Sequence, residues 1–294
     1  TINEKSTKKI IIFSALAGFF TGLYPFAWSG WWHIFDFILV TIATTFIYLV
    51  IIKFKDIRKS YKTLFSDTSI RNELIVGIVY FFSTAFFAIL FLGFAEFGSS
   101  FLGPLSFKAI KEPVTPYLWP NVLTTVAELN EGSINGIINS MGGPFLFFVS
   151  LLGLILAVSR VNGIKKFDFV YLIGASVFYG LYFMVRRLGY EPSTLFLMAW
   201  IMLPIALWII ISLYRKDTSY DFKLSILLSL WCISTIFAGI KGIRLTLLLA
   251  PAFSVAFGVA LGKAYVYLSR LISKDLKIHK VIGSSILIIV MLFV

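Results

Sequence analysis

The chain has 294 residues, of which 59% are hydrophobic and only 14% are charged. Soluble domains carry about 25% charged residues, so this composition excludes a soluble protein and predicts an integral, multi-pass membrane protein of the all-α class. The net charge of +12 is spread between the apolar segments and not collected in one patch. This pattern indicates membrane lipids, and no nucleic acid, as a partner. The single cysteine, Cys232, excludes an internal disulfide.

Apolar segments of spanning or near-spanning length follow one another along the chain. We predict a polytopic helix bundle of about nine transmembrane helices, forming one transmembrane domain over residues 1–294. The last segment is shorter than the roughly 20 residues that a spanning helix needs, and the chain does not begin with Met, so we expect it to be truncated at both ends. The segments are 10–28, 31–52, 74–95, 144–161, 167–185, 194–214, 222–240, 244–268 and 281–294.

Basic side chains predict the orientation of these helices. With the amino terminus inside, most of the 26 lysines and arginines lie on inner connections, as the positive-inside rule requires. The long connection 96–143 is then an outer loop. Its prolines, Pro104, Pro113, Pro116 and Pro120, interrupt regular helix. Connections of this length are uncommon unless they are functional or disordered.

One carboxylate in this loop is a candidate for chemistry. Glu128 ends the run Thr125-Val126-Ala127-Glu128, whose other residues are small or apolar. An acid held near the mouth of a helix bundle suits a divalent-cation ligand or a hydrogen-bond acceptor for substrate. On spacing alone, a solvated loop glutamate remains the better interpretation.

A second candidate is the run Lys241-Gly242-Ile243-Arg244-Leu245, which we predict to open the eighth helix. Residues three apart share one helix face, and a helix start with two cations is a good anion site because its first N–H groups are free. The alternative is that both side chains snorkel to lipid headgroups. Pro251, further along, predicts a kink in the same helix.

Two further polar pairs have competing interpretations. Arg186 and Arg187 form a basic pair on the predicted outer side, which suits an anionic lipid headgroup or, as the favoured reading, a charged turn. His33 and Asp36 follow the first outer turn at helical spacing and suit an ion site or, as the favoured reading, a satisfied interfacial pair.

Together, the run Thr125–Glu128 and the run Arg244-Leu245-Thr246-Leu247-Leu248-Leu249-Ala250-Pro251 resemble a known family. They look like the loop motif and the arginine-led helix start of the catalytic subunit of oligosaccharyltransferase, of the archaeal dolichyl-phosphooligosaccharide–protein glycotransferase type. The early runs Gly22-Leu23-Tyr24 and Trp28–Trp32 are also similar to that family. The resemblance covers nearly the whole chain, but only the later part of the family's membrane domain.

The resemblance implies a truncated GT-C-like membrane domain and a metal-dependent glycosyltransferase of N-glycosylation. Such an enzyme moves a preassembled oligosaccharide from a lipid (pyro)phosphate carrier to the Asn amide of Asn-x-Ser/Thr. Its implied partners are therefore a lipid-linked oligosaccharide, such as a dolichol-linked one, and an acceptor protein or peptide. In an archaeon, it implies the cell membrane with the active face outside.

Residue roles follow from the same resemblance. Glu128 matches the family's loop glutamate, which implies that it engages the acceptor amide and helps to hold a Mg²⁺ or Mn²⁺ ion. Arg244 matches the phosphate-binding arginine. The role of Lys241 as a helper for the lipid phosphate comes from its spacing alone.

Several of the family's features have no match. The catalytic Asp of its first outer loop, the acidic pair of its second, and the Trp-Trp-Asp-Tyr-Gly motif of its soluble outer domain are missing; Trp31-Trp32 is followed by His33-Ile34. We therefore expect the N-terminal catalytic-loop part and the C-terminal soluble domain to be absent, the remaining metal ligands to come from the missing N-terminal part, and this segment to be inactive alone.

Two alternatives remain: another polyprenyl-phosphate-sugar-dependent membrane glycosyltransferase, and a polytopic transporter. Transporters place charged residues in mid-span and interrupt paired helices. The predicted spans contain almost no central charge, and the unusual polarity lies on one predicted face. This distribution favours chemistry at the membrane surface over a path through the membrane.

Overall fold

The computed structural model describes residues 6–26, 31–100, 131–160, 166–189, 193–215, 217 and 220–274. The described residues are predominantly helical, which confirms an all-α polytopic fold. The helices are α1 (Thr7–Leu23), α2 (Trp32–Ile52), α3 (Phe54–Lys59), α4 (Thr63–Ser66), α5 (Thr68–Leu92), α6 (Phe94–Ser100), α7 (Ile134–Ser140), α8 (Gly143–Leu156), α9 (Lys166–Arg187), α10 (Thr194–Arg215), α11 (Lys223–Lys241) and α12 (Leu249–Lys274). Short 3₁₀ helices occupy Tyr24–Phe26 and Ile243–Leu248, and two strands, β1 (Ser159–Arg160) and β2 (Tyr220–Asp221), pair antiparallel.

Among the described residues, 7 helices are long and apolar enough to cross a membrane, and the bent pair of α7 and α8 brings the number to 8 if it counts as one span. The predicted ninth segment, 281–294, lies outside the described residues. The segment predicted at 144–161 corresponds to α8, which meets α7 at an angle of 84°. Gly142 and Gly143 allow this bend because both have positive φ, of 87° and 90°.

The contacts of the chain group it into two compact units. The first unit contains Thr1–Glu131, Ile210–Thr218 and Lys241–Arg244, and the second contains Gly132–Ile209, Ser219–Ile240 and Leu245–Val294. The prediction of one transmembrane domain over residues 1–294 stays a prediction. Each unit is described separately below, for its described residues.

In the first unit, α1 packs closely against α5 because small residues line the contact. A Cβ atom built on Gly18 would lie 2.6 Å from the Cβ of Ser83, and one built on Gly22 would lie 2.7 Å from the Cβ of Phe87. Ser83 also donates a hydrogen bond of 2.8 Å to the carbonyl of Ala15. This is the small-xxx-small packing by which helices associate in lipid, where no hydrophobic force drives them together.

An aromatic cluster packs between α2, α5 and α6 in the first unit, and its buried rings are Trp31, Phe35, Tyr80 and Phe97. The Phe35 ring lies 6.2 Å from that of Tyr80 and 6.0 Å from that of Phe97. Such offset and edge-to-face pairs contribute about 0.5–1.5 kcal/mol each beyond the burial of area. Trp31, just before α2, therefore belongs to a packed aromatic core.

The connection between α2 and α5 is held by one carboxylate. Asp67 is the N-cap of α5 and accepts hydrogen bonds from the amides of Ser69 (3.0 Å) and Ile70 (3.1 Å). The ammonium of Lys53, at the end of α2, forms an ion pair with the same side chain. Burial raises the pKa of Asp67, but the hydrogen bonds from Lys53 and from the two amides outweigh it, so the pKa lies below its usual value.

In the second unit, α8 and α12 are in very close contact at Gly153. Of the glycines in the described structure, Gly153 leaves the least room for a Cβ atom. A Cβ atom on Gly153 would lie 1.8 Å from the carbonyl oxygen of Ala256. The hydroxyl of Ser225 in α11 donates a 2.6 Å hydrogen bond to the carbonyl of Leu154, so a third helix joins the same crossing. The second unit thus uses the same small-residue packing as the first.

The pair of α9 and α10 shows how a proline is accommodated. Pro204 lies inside α10, where it removes a backbone donor and leaves carbonyls of the preceding turn without their usual partner. Tyr179 of α9 donates to the carbonyl of Ile201 at 2.9 Å, and Tyr171 donates to the carbonyl of Pro204. Tyrosine hydroxyls from the neighbouring helix therefore satisfy backbone groups around the interruption, as spanning helices require.

Candidate functional site

The predicted loop motif, Thr125, Val126, Ala127 and Glu128, lies outside the described residues. The described residues begin again at Glu131, and the next residue forms a backbone hydrogen bond with a distant part of the chain. The amide of Gly132 donates a 2.9 Å hydrogen bond to the carbonyl of Ile240, near the end of α11. The carboxyl end of the long loop is therefore attached to the segment that leads into Lys241.

This attachment depends on glycine. A Cβ atom on Gly132 would lie 2.3 Å from the carbonyl oxygen of Gly239, and one on Gly239 would lie 3.2 Å from the hydroxyl of Thr246. We call the contact of Gly132 with Gly239 and Ile240 the glycine crossing. No local sequence pattern predicts this contact. The sequence shows one glycine close to the candidate motif and another close to Lys241, but it does not show which residue each of them contacts.

The glycine crossing joins a segment that follows the predicted loop motif to a segment that precedes Arg244. Glu128 precedes Gly132 by four positions, and Arg244 follows Ile240 by four positions. Both segments are short, and a chain extends by at most about 3.3–3.6 Å per residue. Covalent geometry therefore limits how far these two positions can lie from one contact. The grouping into units also assigns Glu131 and the segment Lys241–Arg244 to the first unit.

The cationic segment differs from its prediction. Lys241 is the last residue of α11 and does not open the next helix, and Arg244 is the second residue of the 3₁₀ helix Ile243–Leu248. The expectation that both cations share one helix face is therefore wrong. The physical reason is that α11 ends at Lys241 and Gly242 is not helical, so the two residues belong to different elements. Their proposed binding of phosphate is unaffected and stays a prediction.

The predicted kink at Pro251 is also wrong. Pro251 is the third residue of α12, which begins at Leu249 directly after the 3₁₀ helix. In the first turn of a helix, the missing N–H of proline has no intrahelical partner to lose. The proline therefore marks the change from 3₁₀ to α-helix, and not a bend within a span.

His33 and Asp36 are not the satisfied pair that we favoured. Both lie in the first turns of α2, and His33 is buried. Among the described residues, neither the Nε2 atom of His33 nor the Oδ2 atom of Asp36 has a hydrogen-bond partner. Their spacing is compatible with a pair on one helix face, but these two atoms are buried without a hydrogen bond to each other.

The described residues contain no group of three or more His, Cys, Asp or Glu side chains that could hold a metal ion. Glu128, the single ligand that the resemblance implies, lies outside the described part. These residues therefore do not form a metal site by themselves.

The remaining predicted pair, Arg186 and Arg187, lines a cavity of about 560 Å³ in the second unit. Asn135 of α7 also lines this cavity, and Phe183 and Met184 contribute apolar side chains. Because these residues come from elements distant in sequence, no local pattern predicts this cavity.

Comparison with known proteins gives two similar chains. This chain is 24% identical over 255 residues to the dolichyl-phosphooligosaccharide-protein glycotransferase of Methanocaldococcus jannaschii, covering 86% of this chain and 21% of that protein. It is 24% identical over 271 residues to the protein of the same name from Methanococcus voltae, covering 88% of this chain and 25% of that protein. No protein-family model and no solved structure matches. The resemblance to archaeal oligosaccharyltransferases is thus confirmed, and the chain spans a quarter or less of these relatives' length.

Proposed function

We propose that this protein is a membrane glycosyltransferase of the oligosaccharyltransferase type. It transfers a preassembled oligosaccharide from a lipid (pyro)phosphate carrier to the side-chain amide of Asn in Asn-x-Ser/Thr. Two kinds of observation support this proposal: the similarity to two enzymes named as dolichyl-phosphooligosaccharide-protein glycotransferases, and the glycine crossing. The crossing carries the argument because it joins the loop that contains Glu128 to the segment that contains Arg244.

The low reactivity of the acceptor amide determines the role that we assign to Glu128. An amide nitrogen is a poor nucleophile because its lone pair is delocalised into the carbonyl. A carboxylate that accepts hydrogen bonds from the amide N–H groups weakens this delocalisation and orients the lone pair. The nitrogen then forms a bond to the sugar carbon as the bond from that carbon to the phosphate oxygen breaks, the lipid phosphate departs with the bonding electrons, and one N–H proton of the amide passes to the carboxylate that accepts its hydrogen bond. Glu128 is the residue of this chain to which we assign this role.

The leaving group sets the task for Arg244. Negative charge grows on the phosphate oxygens as the sugar departs, and a preorganised cation stabilises that charge. A guanidinium suits this task because it donates two parallel hydrogen bonds to phosphate. Lys241 precedes it by three positions, and we assign it the secondary role of a point charge for the same group.

We also propose a divalent cation, Mg²⁺ or Mn²⁺, with Glu128 as one ligand. When bound, such an ion neutralises a phosphate leaving group as a Lewis acid. The described residues contain no group of three or more His, Cys, Asp or Glu side chains that could hold the ion, so we derive no step from it. The proposed location is the cell membrane, with the long loop on the outer face.

The test uses the full-length protein in membranes, assayed for transfer of a lipid-linked glycan to an Asn-x-Thr peptide with added Mn²⁺. Glu128→Gln keeps the size of the side chain and removes its charge, so we expect transfer to fall by about 10²–10³-fold. Glu112→Gln is the matched control, since Glu112 is a carboxylate of the same loop outside the motif.

Equal activity of the Glu128→Gln variant and the wild type would refute the assignment of Glu128. No transfer by the wild type to any acceptor peptide would refute the proposed acceptor, and the other polyprenyl-phosphate-sugar transferase would then be the better assignment. Omitting the metal tests the cation: undiminished transfer after chelation would refute it.

A further inference from the structure

We propose that the cavity lined by Arg186 and Arg187 is a binding site for the phosphate group of an anionic membrane lipid. We call it the arginine cavity. It is built entirely from the second unit and has a volume of about 560 Å³. This proposal does not rest on the proposed function, because it involves neither Glu128 nor Arg244.

The two arginines are available for a ligand. They occupy the last turn of α9, where cations are often retained because they interact with unpaired helix carbonyls. Here the backbone already satisfies those carbonyls. Leu188 donates to the carbonyls of Met184 and Val185, and Gly189 donates to that of Arg186. Gly189 has a positive φ of 86°, which is the usual glycine termination of a helix.

The guanidinium of Arg186 is also held in place. Its central carbon lies 5.8 Å from the centroid of the Tyr182 ring, one turn earlier on the same helix. A cation over an aromatic face is attracted by the negative face of the ring. A guanidinium has five N–H donors, and a contact with a ring face uses none of them as a conventional hydrogen bond to an oxygen atom, so they can donate to a ligand. In the described part of the chain, neither arginine forms an ion pair with a carboxylate.

The lining of the cavity combines polar and apolar residues. Asn135 adds an amide to the two cations, whereas Pro144, Gly180, Phe183 and Met184 provide apolar surface. Met184 is 60% exposed and Leu188, next to the arginines, is 77% exposed. Large exposed apolar side chains beside cations at the end of a spanning helix are typical of the region where lipid headgroups meet acyl chains.

These features together select the ligand. Two arginines and an amide in one lining suit the oxygen atoms of a phosphate, which arginine binds through two parallel hydrogen bonds. The apolar lining residues suit the chain of a lipid, which a free phosphate ion lacks. We therefore assign an anionic phospholipid, whose headgroup lies at the arginines and whose chain follows α9 towards Gly180.

The experiment measures lipid retained by the full-length protein. The protein is purified in detergent, incubated with phosphatidylglycerol, and the bound lipid is counted by native mass spectrometry. Removing both cations with R186Q/R187Q is expected to lower the affinity for this lipid by about tenfold or more, since a hydrogen bond to a charged group contributes about 1.5–3 kcal/mol. R58Q/K59Q is the matched control, because Arg58 and Lys59 are also adjacent cations in the last turn of a helix.

A second variant tests the cavity without changing charge. A Cβ atom on Gly180 would meet nothing within 4 Å, so a side chain can begin there, and Gly180→Leu adds volume to the cavity lining. It is expected to reduce phosphatidylglycerol binding several-fold while the protein stays folded, because a leucine in an α-helix is more favourable than a glycine. Gly174→Leu is its control: it lies on the same helix, also has open space, and does not line the cavity.

The outcomes separate the sources of phosphate. Loss of binding in both R186Q/R187Q and Gly180→Leu, with both controls unchanged, supports the proposal. Equal losses in R186Q/R187Q and R58Q/K59Q would overturn it in favour of general attraction to a basic surface. Unchanged binding in Gly180→Leu would show that the lipid does not occupy the cavity. Displacement of the lipid by millimolar inorganic phosphate would assign the site to free phosphate and overturn the lipid assignment.

Discussion

Both units have close helix–helix contacts at glycines, but they differ in how regular their helices are. In the first unit, α1, α2 and α5 are continuous helices, and Gly18 and Gly22 form one close contact. In the second unit, α7 and α8 meet at 84°, Pro204 interrupts α10, and a 3₁₀ segment precedes α12. Interrupted helices leave backbone groups that need partners, and such places are where membrane proteins build binding sites. The difference places a bent helix pair, a proline-interrupted helix and a cavity of about 560 Å³ in the second unit, whereas the first unit has continuous helices and a cavity of about 240 Å³.

The largest effect on stability is expected at the crossing of α8 and α12. Gly153→Ala places a methyl group where a backbone oxygen already lies, at 1.8 Å, and backbone gives way less easily than a side chain. We expect a loss of about 3 kcal/mol or more in the free energy of unfolding, measured by thermal unfolding of the full-length protein in detergent. Gly174→Ala, at an open helical position, is the control and should be neutral or slightly stabilising. A Gly153→Ala protein as stable as the control would mean that this crossing is looser than described.

A smaller effect is expected at the matching contact of the first unit. Gly18→Ala brings a methyl group within 2.6 Å of the Cβ of Ser83 and within 2.9 Å of the amide nitrogen of Thr84. Two continuous helices can separate slightly along their length, so we expect a loss of about 1–3 kcal/mol. The same unfolding measurement compares it with Gly153→Ala. If Gly18→Ala proves the more damaging, the first unit is the more tightly packed, contrary to the comparison above.

Asp67 caps α5 and pairs with Lys53 at the end of α2 in the first unit. Asp67→Ala removes the acceptor for the amides of Ser69 and Ile70 and the partner of Lys53. We expect a loss of about 1 kcal/mol at pH 7, which is the usual value of an N-cap. The ion pair is partly exposed and adds little. Asp67→Asn keeps a capping oxygen and should cost less than Asp67→Ala; equal losses would show that the charge, and not the cap, is what matters.

The same carboxylate gives a dependence on pH. Because the folded pKa of Asp67 lies below its usual value of about 4, its contribution is fully present above that usual value. It is lost as the pH falls through the lower, folded pKa. The difference in stability between wild type and Asp67→Asn should therefore be constant near neutral pH and shrink in acid, as measured by unfolding over a range of pH. A difference that grew on acidification would contradict the lowered pKa.

The smallest effect is expected where a tyrosine compensates for the proline of α10. Tyr179→Phe removes only the hydroxyl that donates to the carbonyl of Ile201. Hydrogen bonds between membrane helices contribute about 0.6 kcal/mol on average, and this is the loss that we expect in thermal unfolding. Tyr214→Phe is a control, because Tyr214 is 89% exposed. No difference between the two variants would show that another group satisfies the carbonyl.

Part of the candidate site could be predicted from sequence and part could not. Glu128 and Arg244 were found because their motifs are local runs of residues that resemble a family, and both assignments remain to be tested. The glycine crossing, which joins their segments, was missed because a close approach depends on two surfaces that are far apart in the chain. The helix start predicted at Lys241 was wrong because apolar length predicts where a span lies far better than where it begins.

Composition and the lengths of the apolar segments were sufficient to decide that this is an all-α membrane protein of several spans. The reason is that lipid cannot satisfy backbone polar groups, so a long apolar run has little choice but to be helical. Only the packed structure decided that α7 and α8 are bent by 84°, that Gly132 touches Gly239, and that Arg186 and Arg187 line a cavity. In lipid, every apolar helix face is equally well solvated, so which helices pack together depends on how well their surfaces fit. Shape is a property of two assembled surfaces, and no single segment of the sequence contains it.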